Sequence, residues 1–519
     1  MLKRAIVAMI ILLLAAPLAS SSELEGTVTA SYIYLDEEGN RSVNQPTFNT
    51  YEGAALSLED FRYYLDNGMR LSADMKNITL NNRDLNLGIT KPGLFGVNLT
   101  HNQYRRFYDF DGGIYTRRHR EGGNAWIRPH KYIKIFGGGS FNAESGSMIP
   151  LYDGIAPGEI SDMDYEQMYY NGGILLNHEG RTLRAELRGS TFDVLDSDDR
   201  DQERMSYSIF AAGPVPHLEA VSVFGGFRRF ESWYMETDYK IESNRGFAGS
   251  SVKLPQYFRL KYMFVFDRTG SDSDFVKTDN VSHGVFLSRI WKGMANVTLG
   301  YQRNYNDDFE DEIQANSFYF SGWLKPIRAL ELRAQFGTKE DDLKSGNTVL
   351  GDQYKRKFRF STRYRHNEYG TVTLRVDANT RKSDLLDTKS EFLRTGLDIQ
   401  ANLMQYASLT GGCSRAVGHY ENTETDFEFH DYIVFADISS MEYHNVTGGF
   451  GFNYYWSSQE LDVERSMLEF RLGYRFLPKH KIEVQYNVHN FDDFIYTGSF
   501  DEYYTANIVE VKLINDLAF

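Results

Sequence analysis

The clearest indication of the fold class is the segment Lys355-Arg356-Lys357-Phe358-Arg359-Phe360-Ser361-Thr362-Arg363-Tyr364-Arg365. Cations and one serine occupy every second position, and mostly aromatic residues fall between them. The two sets are Lys355, Lys357, Arg359, Ser361, Arg363 and Arg365, against Phe358, Phe360, Thr362 and Tyr364. Because successive side chains of a strand point to opposite faces, this order places a cationic row on one face and a mostly aromatic row on the other. As a helix the stretch would have no apolar stripe, so it predicts a β-strand.

The same period of two recurs along the chain. In the next segment Val372, Leu374 and Val376 alternate with Thr373 and Arg375. Similar alternation occurs over residues 183–188, 330–336 and 481–488. After Ser22 no window approaches the roughly 18 consecutive apolar residues that indicate a spanning helix. The chain is therefore predicted to be all-β.

The composition narrows the class of protein further. The chain has 519 residues, a formal net charge of −15, 15% aromatic residues and one cysteine, Cys413. Its mean hydropathy of −0.47 argues against a polytopic helical membrane protein. The many large rings argue against disorder, and one thiol excludes a disulfide framework. At roughly 150 residues per domain the length would suggest about three domains, but all-β barrels run long as single units, and no composition break divides the chain.

The first 22 residues have the layout of a secretory signal. Lys3 and Arg4 precede the apolar run 5–14, and small residues follow up to Ser22. This layout predicts a cleaved signal peptide over residues 1–22 and a mature chain over 23–519. An uncleaved anchor is the alternative, but the run is shorter than the roughly 20 residues of a spanning helix. Export follows, and no C-x-x-C-H motif for covalent haem attachment occurs.

Short turns and long polar stretches alternate along the mature chain. The predicted short turns are 91–93, 128–130, 177–180, 254–256, 291–293, 325–327, 366–368 and 477–479. The predicted long stretches are 36–49, 142–162, 196–202, 269–279, 306–312, 341–352 and 421–428. Outer-membrane barrels have short periplasmic turns and longer extracellular loops. The pattern predicts a single large transmembrane antiparallel β-barrel in the outer membrane of a Gram-negative bacterium, and a soluble repeat array is the alternative.

Pairing each short turn with its flanking segments gives about 26 strands, with both termini on the short-turn side. Because unpaired backbone groups are costly in hydrocarbon, the sheet is expected to close. The last segment places Val511, Leu513, Leu517 and the terminal Phe519 on one face. We interpret these four residues as a signal for the barrel-assembly machinery, with an ordinary amphipathic strand as the alternative.

A barrel of about 26 strands has a wide lumen, because width grows with strand number. The mature sequence becomes strand-like at once, so no plug domain is expected. A candidate luminal basic wall is formed by Lys355, Lys357, Arg359, Arg363, Arg365, Arg375 and Arg381. Such a wall would select anions or dock the carboxylates of a guest protein, such as haem propionates. The alternative is a generic polar lumen whose cations pair with acids on neighbouring strands. Nucleic-acid binding is not expected of an acidic chain whose basic rows are enclosed.

One stretch carries a resemblance to a known family. Residues 57–68, running on to Lys91-Pro92-Gly93-Leu94-Phe95-Gly96, resemble the outer-membrane porins of porin–cytochrome electron conduits, the MtrB/PioB-type group associated with decahaem cytochromes. Relatives in that group often carry a Cys-x-x-Cys near the mature N-terminus, whereas the thiol here is Cys413. The resemblance implies a sheath that insulates a multihaem c-type cytochrome from lipid while the barrel itself binds no haem. The implied partners are outer-membrane lipid, such cytochromes and the barrel-assembly machinery. A general or anion-preferring diffusion porin without a cytochrome is the alternative.

No local motif indicates an enzyme. H-E-x-x-H, G-x-S-x-G, C-x-x-C and Walker-type motifs are absent from the sequence, so the protein is predicted not to be an enzyme. Histidines near short turns could form a haem-proximal cluster or be solvated turn residues; they are His130, His178, His217, His366 and His480. Two acidic runs could bind Ca²⁺ or be solvated charge; they are Asp196, Asp198, Asp199, Asp201 and Glu203, and Asp307, Asp308, Glu310, Asp311 and Glu312.

Overall fold

The computed structural model describes residues 23–109, 111–148, 161–194, 201–272, 277–308, 311–345, 352–384, 387–403, 406–459, 462–493 and 502–517. The signal peptide predicted over residues 1–22 lies outside this range, as does Phe519. Within the described residues, 26 antiparallel strands follow one another in chain order. No helix in this part of the chain has the length and apolar character to cross a membrane.

The strands are β1 Leu24–Gly39, β2 Gly53–Tyr64, β3 Arg70–Lys76, β4 Asp84–Lys91, β5 Phe95–Phe107, β6 Tyr115–His130, β7 Ile133–Met148, β8 Ser161–His178, β9 Arg181–Val194, β10 Gln202–Val215, β11 Leu218–Tyr234, β12 Tyr239–Lys253, β13 Phe258–Ser271, β14 Lys277–Trp291, β15 Ala295–Asp308, β16 Asp311–Ile327, β17 Leu330–Ser345, β18 Gln353–His366, β19 Gly370–Ser383, β20 Thr388–Leu403, β21 Ala407–Glu421, β22 Asp426–Ser440, β23 Val446–Gln459, β24 Val463–Leu477, β25 His480–Asp493 and β26 Glu502–Asp516. Short 3-10 turns occupy Gln45–Thr47 and Pro255–Tyr257.

The first and last strands close the sheet. β1 pairs with β2 on one side and with β26 on the other, in a register that runs from Thr27 opposite Asp516 to Gly39 opposite Tyr504. Leu24 and Asp516 both lie at the end of the barrel where the short turns are. The prediction of an all-β, closed barrel of about 26 strands is confirmed, and its physical reason is that closure leaves no edge with unpaired backbone groups.

Several predicted loops are strand instead. β15 continues to Asp308 and β16 starts at Asp311, so most of the stretch 306–312 belongs to the sheet. Likewise residues 325–327, predicted as a turn, end β16, and the chain reverses at residues 328–329. About 9–11 residues suffice for a strand to span a bilayer, whereas β8 has 18 residues. The ladder continues beyond the membrane because backbone pairing does not require apolar side chains.

The two faces of the sheet differ in chemistry, as the alternation predicts. Directly opposite residues of an antiparallel pair share a face, which aligns Leu332, Thr362, Leu374 and Leu397 in one row. Large apolar side chains on this face are open to the surroundings, and Leu374 is 48% exposed. We assign this apolar face to lipid and the opposite, charged face to the lumen.

One connection is packed against the wall. β3 and β4 have only 7 and 8 residues, so the end of β5 near Phe107 lacks a strand partner on the side of β4. The segment 40–52 fills this gap: Asn49 Nδ2 donates to the Gln103 carbonyl at 3.3 Å, and Arg105 Nε donates to the Phe48 carbonyl at 3.0 Å. The predicted loop 36–49 is therefore strand up to Gly39 and a packed segment beyond it.

The packed segment also contacts β25 and β26. The Thr47 and Tyr504 hydroxyls are 2.7 Å apart, and Tyr504 is 1% exposed. Val43 packs on the buried cluster of Phe491, Tyr504 and Ala506. A small buried core thus lies at this end of the barrel, where the segment meets β25 and β26.

Candidate functional site

The strand register brings all seven residues of the candidate basic wall to one face. Lys355 lies opposite Arg381, Arg359 opposite Asp377, and Arg375 opposite Ser361. Lys357, Arg363 and Arg365 share the face of Lys355, because they are separated from it by even numbers of residues along β18. This is the face turned away from the apolar rows, so the wall lies toward the lumen.

Some of these cations pair with acids on neighbouring strands. Arg359 Nε lies 2.9 Å from Asp377 Oδ1, and Arg375 Nη2 lies 3.1 Å from Asp398 Oδ2. Lys355 Nζ lies 3.8 Å from Asp341 Oδ2. For these three residues the cross-strand pairing that the sequence left open as the alternative is present.

Other cations of the wall have no acidic partner in the part of the chain that the structure describes. Within the described residues Lys357, Arg363 and Arg365 make no ion pair, and all three are exposed. Arg381 donates from Nη2 to the Gln353 side-chain oxygen at 3.1 Å, a neutral partner. Unpaired cations on the lumen surface remain free to bind anions from solution or from a guest.

The register also adds cations that sequence reasoning missed. Lys339 lies opposite Lys355, Arg333 opposite Ser361, and Arg394 opposite Asp377. The lumen face of β17–β20 thus carries ten cations: Arg333, Lys339, Lys355, Lys357, Arg359, Arg363, Arg365, Arg375, Arg381 and Arg394. Its four carboxylates are Glu331, Asp341, Asp377 and Asp398. The period-two pattern of Arg333 was visible in the sequence, but joining it to this wall required the register of β17 and β18.

A cavity lies in the middle of the wall. Its volume is about 520 Å³, and Arg333, Arg359, Arg375, Asp377 and Trp323 line it. Guanidinium groups bind carboxylates and phosphates through two parallel hydrogen bonds. The arrangement is therefore chemically suited to bind carboxylates or other oxyanions.

The turn histidines do not gather into one site. His130 and His178 both contact Tyr132, with ring centroids 4.9 and 4.5 Å away from it. His366 stacks on an aromatic ring of its own turn, Tyr369, at 4.7 Å. Among the described residues no group of three or more His, Cys, Asp and Glu side chains is arranged to hold a metal ion. The acidic run 196–203 lies mostly outside the described residues, and so does Glu310 in the second run.

The C-terminal strand presents Val511 and Leu513 to the lipid face. Val511 and Leu513 are 46% and 48% exposed on the lipid face. The Leu517 amide donates to the Gly26 carbonyl at 2.7 Å, and its side chain packs on the buried cluster that includes Leu24. The role of these residues in assembly stays a prediction, since Phe519 lies outside the described residues.

Solved structures of bacterial receptors share the fold. The siderophore receptor PirA from Pseudomonas aeruginosa is similar with a TM-score of 0.51 and 10% identity, over 82% of this chain and 80% of that chain. PirA from Acinetobacter baumannii has a TM-score of 0.51 and 10% identity, over 78% of each chain. A mutant of the ferric enterobactin receptor PfeA from Pseudomonas aeruginosa, in complex with enterobactin, has a TM-score of 0.52 and 9% identity, over 82% and 81%.

These likenesses are at low sequence identity and concern the fold. No protein-family model matches the chain, and no curated protein matches it. The closed sheet and its apolar outer face define the chain as a β-barrel of the outer-membrane class. The resemblance to porin–cytochrome conduits stays a prediction.

Proposed function

We propose that this barrel is a transport protein of the outer membrane whose lumen encloses an acidic protein guest, and that the guest is a multihaem c-type cytochrome that carries electrons across the membrane. The observation that carries the proposal is the composition of the lumen face of β17–β20, which has ten cations and only four carboxylates. The whole chain has a net charge of −15, so this face of β17–β20 has the opposite sign to the chain as a whole.

The width of the barrel supports a guest rather than selection of small ions. Strands about 4.8 Å apart and tilted by about 40° give 26 strands a backbone diameter of roughly 50 Å in circular section. Charges are screened beyond about 8 Å at physiological ionic strength. A small ion near the axis therefore lies outside the field of the wall, whereas the surface of a guest that fills the lumen touches it.

The chain itself supplies the binding surface and the insulation. It has no C-x-x-C-H motif, so covalently attached haem belongs to the guest. Carboxylates of the guest, from acidic side chains or haem propionates, would pair with Lys357, Arg363 and Arg365. The apolar outer face separates this polar interior from lipid.

Copurification tests the proposal. The barrel is affinity-purified from its native membrane in mild detergent, and haem-stained partners are counted against the barrel. We expect a haem-stained partner with the wild type and about a tenfold loss of it with Lys357→Glu/Arg363→Glu/Arg365→Glu, because three attractive contacts become repulsive. The control is Arg356→Glu/Lys382→Glu, on the outer face of β18 and its neighbour β19. Wild-type barrel without a haem-stained partner contradicts the proposal.

A diffusion channel for anionic solutes is the second candidate. The unpaired Lys357, Arg363 and Arg365 favour it, because they are exposed to solutes that pass along the wall. Large, stable, anion-preferring conductance of barrels purified from the native membrane with no copurifying protein would support this candidate. A native complex that conducts only after its partner is removed would contradict it.

A further inference from the structure

A groove crosses the lipid face near the short-turn end of β14–β18. Val297, Gly322 and Ala334 lie directly opposite one another on β15, β16 and β17. These small side chains, with Ala295, form the floor of a cavity of about 580 Å³, and Trp291 and Phe320 are among the larger residues that line it. A methyl group added at Gly322 would meet Phe320 at 3.4 Å, so a larger side chain there would enter the groove.

A cationic side chain lies at the end of this groove. Arg289 is opposite Val297, which places it on the lipid face two residues before the end of β14. Its guanidinium carbon lies 4.8 Å from the centre of the Phe258 ring and 4.5 Å from that of Trp291. Its Nε is buried and has no hydrogen-bond partner among the described residues. Within the described residues Arg289 makes no ion pair, and its side chain as a whole is only partly buried, so its charge on the lipid face favours an anionic partner from the membrane.

The adjacent turn adds positive charge. Lys292 follows Trp291 and is exposed, and it makes no ion pair with a described residue. Short turns of outer-membrane barrels lie on the periplasmic side. At that interface, basic side chains attract anionic lipid headgroups and aromatic side chains lie at headgroup level.

We propose that this groove is a binding site for an anionic glycerophospholipid of the periplasmic leaflet. The phosphate accepts hydrogen bonds from Arg289 and forms an ion pair with Lys292. One acyl chain of the lipid lies over Gly322 and Ala334. Apolar burial of the chain and charge pairing of the headgroup act together, so the site distinguishes an anionic phospholipid from a zwitterionic one. The site is on the opposite side of the wall from the cationic lumen, and it goes beyond the proposed function.

Native mass spectrometry of the full chain tests this site. The barrel is delipidated and then reconstituted with equimolar phosphatidylglycerol and phosphatidylcholine, and retained lipid is counted per barrel. We expect the wild type to retain phosphatidylglycerol preferentially and Arg289→Gln/Lys292→Gln to retain about tenfold less of it. Gly322→Leu is expected to lower retention of the same lipid by filling the groove.

Matched variants control for general damage. Arg303→Gln removes another outer-face arginine, which already donates to Gln314 at 2.9 Å. Gly337→Leu changes a glycine on the lumen face of β17, opposite Lys357. Both are expected to retain phosphatidylglycerol as the wild type does, with folding checked by heat-modifiable mobility. Equal retention of the two phospholipids by the wild type, full retention by Arg289→Gln/Lys292→Gln, or preference for lipopolysaccharide in a parallel reconstitution overturns the proposal.

Discussion

A single tyrosine joins the packed segment to the barrel wall. The Tyr504 hydroxyl donates to Glu37 Oε2 at 3.0 Å and lies 2.7 Å from the Thr47 hydroxyl, which also contacts the Asn44 carbonyl at 3.0 Å. Tyr504 lies at the long-loop end of β26, beyond the membrane-spanning part, and burial raises the pKa of its hydroxyl. The hydroxyl therefore stays protonated at neutral pH and serves as a donor to the carboxylate.

Removing that hydroxyl should loosen the segment 40–52. We expect Tyr504→Phe to lower the free energy of unfolding by about 1 kcal/mol, because Glu37 and Thr47 each lose a hydrogen-bond partner. Amide exchange at Thr47, whose N–H donates to the Asn44 carbonyl, should accelerate. Tyr503→Phe is the control, since Tyr503 is 37% exposed and its hydroxyl lies 3.4 Å from Glu38. Equal exchange rates in the two variants would contradict this role.

Within one strand, β26, successive side chains face lipid and the aqueous lumen in turn. On β26, Val511 and Leu513 face lipid, whereas Glu510 and Lys512, which alternate with them, face the lumen and form an ion pair at 3.2 Å. Val511 is flanked on the lipid face by Tyr32 of β1 and Val484 of β25. A one-residue slip of this strand would move its charges into hydrocarbon.

A charge placed on the lipid face of β26 should therefore impair the barrel. We expect Val511→Arg to lower the free energy of unfolding by about 2 kcal/mol or more, the cost of a cation on the lipid face of a barrel. Asn379→Arg introduces the same group at an exposed lumen position of β19, opposite Lys357, and should cost at most about 1 kcal/mol, because like charges in solvated cross-strand pairs repel only weakly. The measurements are urea unfolding in lipid vesicles and heat-modifiable mobility on gels. A larger loss with Asn379→Arg would reverse our assignment of the two faces.

At the scale of the whole molecule, charge is distributed unevenly. The chain is acidic, yet the lumen face of β17–β20 is cationic. Salt screens this surface, with a Debye length of about 10 Å at 0.1 M and about 3 Å at 1 M. In a lumen roughly 50 Å wide, the wall can therefore favour anions only moderately, and less so as salt rises.

Ion selectivity of the purified barrel should follow that screening. In planar bilayers we expect chloride to be preferred over potassium by about twofold at 0.1 M KCl and by almost nothing at 1 M. Lys357→Gln/Arg363→Gln/Arg365→Gln should reduce the preference at low salt, whereas Arg356→Gln/Lys382→Gln should not, because the latter pair lies outside the lumen. Reversal potentials under a salt gradient give the ratio. Cation preference in the wild type would show that other charges dominate the lumen.

The local sequence pattern predicts the strands and the composition of their faces. The alternation from Lys355 to Arg365 predicts both, because the side-chain period of a strand is a local property. The strand count and the position of the termini followed from the spacing of the turns. Loop lengths could not be predicted from the sequence. Outside the membrane a polar residue such as Asp307 can belong either to a loop or to the sheet, and here it belongs to the sheet.

Which charges meet depends on how the strands pair in the folded barrel. Arg359 reaches Asp377 while Lys357, two residues before it, has no acidic partner among the described residues, and this difference depends on the register between β18 and β19. The packed segment 40–52 and the groove over Gly322 likewise depend on residues that are distant in the chain. Register and packing arise from pairing between strands and from the closure of β1 on β26, so they are properties of the closed sheet, which no local pattern specifies.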